Sequence, residues 1–94
     1  MGSGTIDARR PWRLNPQVAL RPEPFGALAY HFGTRRLSFL KSRVLLDVVQ
    51  TLERHPSARD ACRAAGVGEE EMPRYERALA QLAQAGMIAA RDES

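Results

Sequence analysis

Ninety-four residues, 44% hydrophobic and 27% charged, fit one small domain and leave no room for a two-domain enzyme or a deep catalytic pocket. The near-average composition excludes wholesale disorder. The single cysteine, Cys62, excludes an intramolecular disulfide and a CxxC metal pair. No stretch approaches the roughly 20 apolar residues of a membrane helix, and the opening residues lack the apolar segment of a signal peptide. A reducing, cytoplasmic setting without membrane contact is the expectation.

The net charge of +3 is unevenly spread. From Met1 to Arg43 eight basic residues stand against Asp7 and Glu23, for +6, and the remainder of the chain carries −3. One half of the molecule attracts anions and the other does not.

In chain order, residues 1–11 are small, polar and basic without periodicity and are expected to form a mobile arm. Residues 12–90 then form the domain and 91–94 a C-terminal tail. Val18 to Arg21 predicts a strand that ends where Pro22 and Pro24 remove backbone donors. Four of the six aromatic residues, Phe25, Tyr30, Phe32 and Phe39, cluster between 25 and 39, which favours strands. Gly33-Thr34 suits a two-residue type II′ turn between strands 26–32 and 35–40. That register sets Tyr30 across from Leu37 and Leu28 across from Phe39 on one face, expected to be the core side because it is the bulkier one. Ala27, Ala29, His31, Arg36, Ser38 and Leu40 fall on the other face. The last strand contains no proline, so its outer edge keeps its donors and can dock an extended peptide.

From Ser42 the pattern becomes helical. Ser42 predicts a cap for a helix whose Leu45, Val48, Val49 and Leu52 form one apolar stripe before His55-Pro56. Ser57 with Asp60 starts a short second helix through Ala61, Cys62 and Ala65 to Gly66. Pro73 opens a third, with Tyr75, Leu79 and Leu82 inward and Gly86 as its C-terminal cap. Met87 to Ala90 predicts a final extended segment. The fold class is α+β, a winged helix-turn-helix in which an N-terminal three-stranded antiparallel sheet is followed by three helices.

A winged helix-turn-helix suggests a DNA-binding regulator as the alternative function, and the local charge argues against it. A recognition helix needs Arg or Lys toward phosphates and base edges, yet Glu69, Glu70, Glu71, Arg74, Glu76 and Arg77 sum to −2. Enzymatic readings find no carriers. His31 and His55 lie in different elements and are expected on the surface or rim. Cys62 reads as a buried structural thiol, and the glutamates at 69–71 as acids that favour a helix dipole. No cofactor-binding motif is present.

The run WRLNPQVALRPEPFGALAYHFGTRRLSFLKSR, the helix with LLDVVQTL and the end YERALAQLAQAGMI resemble the mycofactocin biosynthesis peptide chaperones, which belong with the pyrroloquinoline-quinone pathway chaperones among the recognition elements for ribosomally made peptides. The resemblance covers about residues 12–90, and its most specific part is YHFGTRRLSFL, Tyr30 to Leu40. It implies a non-catalytic adaptor, without cofactor, that binds the acidic leader of a precursor peptide and presents it to a radical S-adenosylmethionine maturase. In such domains the leader adds as a strand beside the third strand, with side chains in a cleft against the third helix. Those elements match Arg35 to Leu40 and Arg74 to Ala85.

A five-residue peptide strand gains about five backbone hydrogen bonds at roughly 0.5 to 1.5 kcal/mol each, against about 4 to 15 kcal/mol of lost freedom. Two or three aliphatic side chains buried at about 1.5 to 3 kcal/mol each close the deficit. The expected peptide-binding set is therefore Arg35, Arg36, Leu37, Ser38, Phe39 and Leu40 from the strand, with Arg74, Tyr75, Ala78, Leu79 and Leu82 from the helix. Leu37, Phe39, Tyr75, Ala78, Leu79 and Leu82 are its cleft residues, and Arg35 and Arg36 attract acidic leader residues. Ser38→Pro is expected to remove a docking donor while leaving the domain folded.

Overall fold

The computed structural model describes residues 7–91. Its elements in chain order are β1 (Trp12–Leu14), β2 (Val18–Glu23), β3 (Gly26–His31), β4 (Leu37–Leu40), α1 (Arg43–Thr51) running into a 3-10 turn (Leu52–Arg54), α2 (Ala58–Ala64), α3 (Met72–Gln84) and β5 (Ile88–Ala90). The chain is thus α+β, with a three-stranded antiparallel meander β2-β3-β4 followed by three helices.

The helix boundaries fall where local chemistry sets them. Ser42 and Ser57, both in extended backbone, accept hydrogen bonds on Oγ from the N–H groups of Leu45 at 2.9 Å and Asp60 at 3.1 Å. Each thereby satisfies a donor the helix cannot. α2 and α3 end alike. Gly66 and Gly86 take left-handed φ values of 93° and 78°. Val67 N–H then reaches Cys62 O at 3.0 Å, and Met87 N–H reaches Leu82 O at 2.8 Å, the paired closure of a Schellman motif. Ser57→Ala is expected to cost about 1 kcal/mol and to lower the melting midpoint by roughly 4 to 8 °C. Calorimetry that found no shift would remove the cap from the account.

The turn at Gly86 sends the chain back as β5, which pairs antiparallel with β1 through Trp12↔Ala90, Arg13↔Ala89 and Leu14↔Ile88. The sequence signalled an extended segment at 87–90 but gave no sign of its partner, because three residues are too few for a period-2 pattern. Of the arm expected over residues 1–11, residues 1–6 lie outside the described residues. Asp7 to Pro11 run along the start of α2, where the carbonyls of Ala8 and Arg10 accept from Arg59 and Ala58 at 2.9 and 3.1 Å. The Ala8 side chain is buried. Of the tail expected over 91–94, Arg91 bonds the carbonyls of Glu53 and His55, and 92–94 lie outside the described residues.

The sheet pairs in the expected register, Leu28↔Phe39 and Tyr30↔Leu37, but with the opposite face inward. Ala27, Ala29, His31 and Leu40 are buried, whereas Leu37 and Phe39 are 60% and 59% exposed. The alternation showed which residues share a face; bulk was the wrong guide to which face is inside. The helices supply the bulk, with Val48, Leu52 and Leu79 fully buried, and the small side chains of Ala27 and Ala29 leave the sheet room to approach them.

The hairpin end also differs from a two-residue turn. Arg35 N–H bonds His31 O at 2.7 Å and His31 N–H bonds Arg36 O at 2.9 Å, with Arg35 in the left-handed region at φ 63°. The cause is His31, which is buried at 6% exposure and not on the rim as expected. Its Nδ1 accepts from the N–H groups of Gly33 and Thr34 at 3.0 and 3.1 Å, holding the loop in a wider form that carries Arg35 and Arg36 on its tip.

Candidate functional site

β4 lies at one edge of the meander, with β3 as its neighbour. In an antiparallel sheet both backbone groups of a residue point to the same side, and successive residues alternate. The His31–Arg36 bond fixes the parity: Arg36, Ser38 and Leu40 turn their N–H and C=O groups toward β3. On the far side of β3, the bond from Phe32 N–H to Gln17 O agrees, since it turns the even-numbered residues of that strand toward β2. The outward groups of β4 are therefore those of Leu37 and Phe39, and they have no hydrogen-bond partner among the described residues. This corrects the role given to Ser38, whose N–H belongs to the β3–β4 ladder.

Beside that edge runs a trough between β4, the start of α1 and the outer side of α3. One part, about 320 Å³, is lined by Ser38, Phe39, Lys41, Leu45, Ala78, Gln81 and Leu82. A smaller part, about 140 Å³, is lined by Lys41, Ser42, Leu45, Arg74, Tyr75 and Ala78. The two share Lys41, Leu45 and Ala78, so they form one continuous channel parallel to the free edge. Ser42 positions its floor, because the cap aims the first turn of α1, with Leu45, under the channel.

The expected site residues divide accordingly. Ser38, Phe39, Arg74, Tyr75, Ala78 and Leu82 line the trough. Leu37 stands on the opposite, outer face of the sheet. Leu40 and Leu79 are fully buried and belong to the core. Arg35 and Arg36 are exposed on the loop at one end of β4. Lys41, Leu45 and Gln81 were not foreseen. Leu45 was legible only as part of the α1 stripe, and Gln81 stands three positions from Ala78, one helical turn along the same face.

Charge brackets the edge. Arg35 and Arg36 lie before β4 and Lys41 follows it, all exposed. Among the described residues no carboxylate pairs with any of them; the ion pairs lie elsewhere, at Arg9–Asp7, Arg21–Glu23, Arg59–Glu76, Arg63–Asp60 and Arg63–Glu69. Arg74 sits 5.7 Å over the Tyr75 ring, an attraction that orients its guanidinium at the trough wall. Glu76, by contrast, receives two bonds from Arg59 at 3.0 and 3.2 Å, so it ties α3 to α2.

The remaining reactive side chains are committed to structure. Cys62 is fully buried, and burial, followed by the charge of Glu76, pushes its thiol up to about 11, which suppresses the thiolate a nucleophile needs. Among the described residues no group of three or more His, Cys, Asp or Glu side chains could hold a metal ion. No helix among them is long and apolar enough to cross a membrane.

Comparison with known proteins fits this arrangement. The profile of the Peptide chaperone MftB family matches residues 11–89. The chain is similar to the peptide chaperone MftB of Mycobacterium ulcerans, 59% identical over 87 residues that cover 93% of this chain and 80% of the relative. Its counterpart in Mycobacterium tuberculosis is 57% identical over 89 residues, 95% and 82% of the two chains, and that of Mycolicibacterium smegmatis 55% identical over 84 residues, 89% and 82%. No solved structure matches. The relatives are named for a chaperone's role, which is non-catalytic. A family match across four-fifths of the sequence, with relatives sharing more than half of their residues, leads to one conclusion: this chain belongs to the MftB peptide chaperone family.

Proposed function

We propose that the chain binds the acidic leader of the mycofactocin precursor peptide as an added strand on β4 and delivers it, in the cytoplasm, to a radical S-adenosylmethionine maturase. The observation that carries this reading is the juxtaposition of the outward amides of Leu37 and Phe39 with an apolar trough that runs alongside them. Backbone pairing alone falls short of the entropy of association, and aliphatic leader side chains in the trough, against Leu45, Ala78 and Leu82, supply the rest. In this reading the fold is a winged helix-turn-helix whose wing edge takes a peptide strand, with the set Arg35, Arg36, Leu37, Ser38, Phe39, Arg74, Tyr75, Ala78 and Leu82 forming the interface. Leu40 and Leu79 support it from the core.

The unpaired charges at Arg35, Arg36 and Lys41 favour an acidic strand and slow the approach of a basic one. Calorimetric titration with a synthetic acidic leader peptide tests the reading: saturable binding supports it, and no heat at any salt concentration removes it. Arg35→Glu combined with Arg36→Glu is expected to weaken binding about tenfold at low salt. The same pair should flatten its salt dependence. A salt titration of the double variant that overlays the wild type would remove the electrostatic role. Delivery is read separately, as faster turnover of the precursor by the maturase when this protein is added. Duplex DNA is expected to run unretarded at physiological salt, since the exposed turn that leads into α3 carries Glu69, Glu70 and Glu71.

A further inference from the structure

The four large hydrophobic side chains exposed among the described residues are Phe25, Phe32, Leu37 and Phe39, and all four belong to the β3–β4 hairpin and its flanking turns. On the outer face of the sheet Phe39 meets Phe25 with ring centroids 6.1 Å apart, and Tyr30 meets Phe32 at 5.5 Å. The helices cover the opposite face, and the trough opens on that helix side. The outward amides of the edge belong to Leu37 and Phe39, whose side chains stand on the aromatic face.

We propose that a peptide strand docked on β4 is read on both faces, with alternate side chains entering the trough and the intervening ones packing on the outer strip of Leu37, Phe39 and Phe25. The proposal rests on strand addition as set out above and deepens it. Parity forces the geometry: side chains directly opposite across a strand pair share a face. A peptide residue opposite Ser38 points toward Ala78 and Leu82, and the residues opposite Leu37 and Phe39 point onto the aromatic strip. The recognised segment is then apolar at consecutive positions, not alternating, with acidic residues at its ends beside Arg35, Arg36 and Lys41. A second copy of this chain fits the strip poorly. Antiparallel pairing of two β4 edges brings Arg35 and Arg36 of each copy beside Lys41 of the other, at both ends.

Three synthetic peptides test this with the full-length chain: Glu-Glu-Leu-Val-Leu-Val-Glu, and two versions in which serine replaces either both leucines or both valines. The consecutive-apolar peptide should bind at least tenfold more tightly than either serine version. Leu37→Ser combined with Phe25→Ser, both exposed positions outside the trough lining, should reduce its affinity about tenfold and reduce the weaker binding of the version that engages only the trough by a smaller factor. Circular dichroism checks that the variant is folded. Tight binding unchanged in the variant overturns two-faced reading while leaving strand addition intact; failure of all three peptides to bind the wild type sinks both. Concentration-dependent self-association that the two substitutions abolish without altering peptide affinity would assign the strip to a second copy and overturn the proposal.

Discussion

Phe39→Pro is expected to abolish peptide binding in a domain that stays folded, while Ser38→Pro, one residue away, unfolds the sheet. The two differ only in where the lost N–H points. The Phe39 group faces away from β3, and proline is tolerated on an edge when its missing donor faces outward. A pyrrolidine ring there blocks an incoming strand and removes one of its bonds, so affinity should fall beyond detection, roughly a hundredfold or more. Phe39→Ala is the control that deletes the ring but keeps the donor, and it should bind measurably. At Ser38 the donor is directed at Ala29, which is buried at 1% exposure. Orphaning that carbonyl costs about 1 to 3 kcal/mol before any clash, a large part of the roughly 5 to 15 kcal/mol that holds a domain together. If Ser38→Pro melts like the wild type, the parity assigned to β4 is wrong.

Gly26→Ala is expected to be the most damaging single-atom change outside the core. Gly26 opens β3 at φ 149°, and a Cβ there would stand 2.1 Å from Leu40 O, 2.8 Å from Ser42 N and 2.9 Å from Ser42 O. All three are backbone atoms, so nothing can rotate away. Strained backbone costs about 1 to 3 kcal/mol and overpacking about the same again, for a loss of roughly 3 kcal/mol or more in chemical denaturation. The displaced segment is the junction that ends β4 and caps α1, so binding should fail along with stability. Gly68→Ala is the matched control: a Cβ there meets nothing within 4 Å, and stability should hold or rise by about 0.4 to 1 kcal/mol. Equal stability of the two variants would mean that β3 and β4 do not converge as described.

His31 shows why the sequence misled at the hairpin. A glycine followed by threonine between alternating runs is a sound turn signal, and it gave the right register. The loop geometry was decided by an imidazole that the tertiary fold buries and turns back on its own loop. Sequence spacing cannot report that, because the burial of His31 comes from packing beside Gly86, 55 positions along, and beside Asn15, whose side-chain amide lies 3.4 Å from His31 Nε2 and donates to Gly86 O at 2.9 Å. The trough was half legible for a similar reason. Ala78 and Leu82 lie on one helix face by periodicity, but Lys41 and Leu45 join them only when α1 crosses beneath β4.

The sequence by itself determined the three helices and the three strands of the meander, the register of the hairpin, the caps at Ser42, Ser57, Gly66 and Gly86, and the family, because each is written in local stereochemistry or in a specific string of residues. The tertiary structure alone decided which face of the sheet is inside, and hence that Leu37 and Phe39 stand in solvent and Leu40 in the core, while the loop closed by the His31–Arg36 bond set the free amides at odd-numbered positions. A period of two fixes which residues travel together but is symmetric between the two sides of a sheet. Only the side on which the helices pack breaks that symmetry.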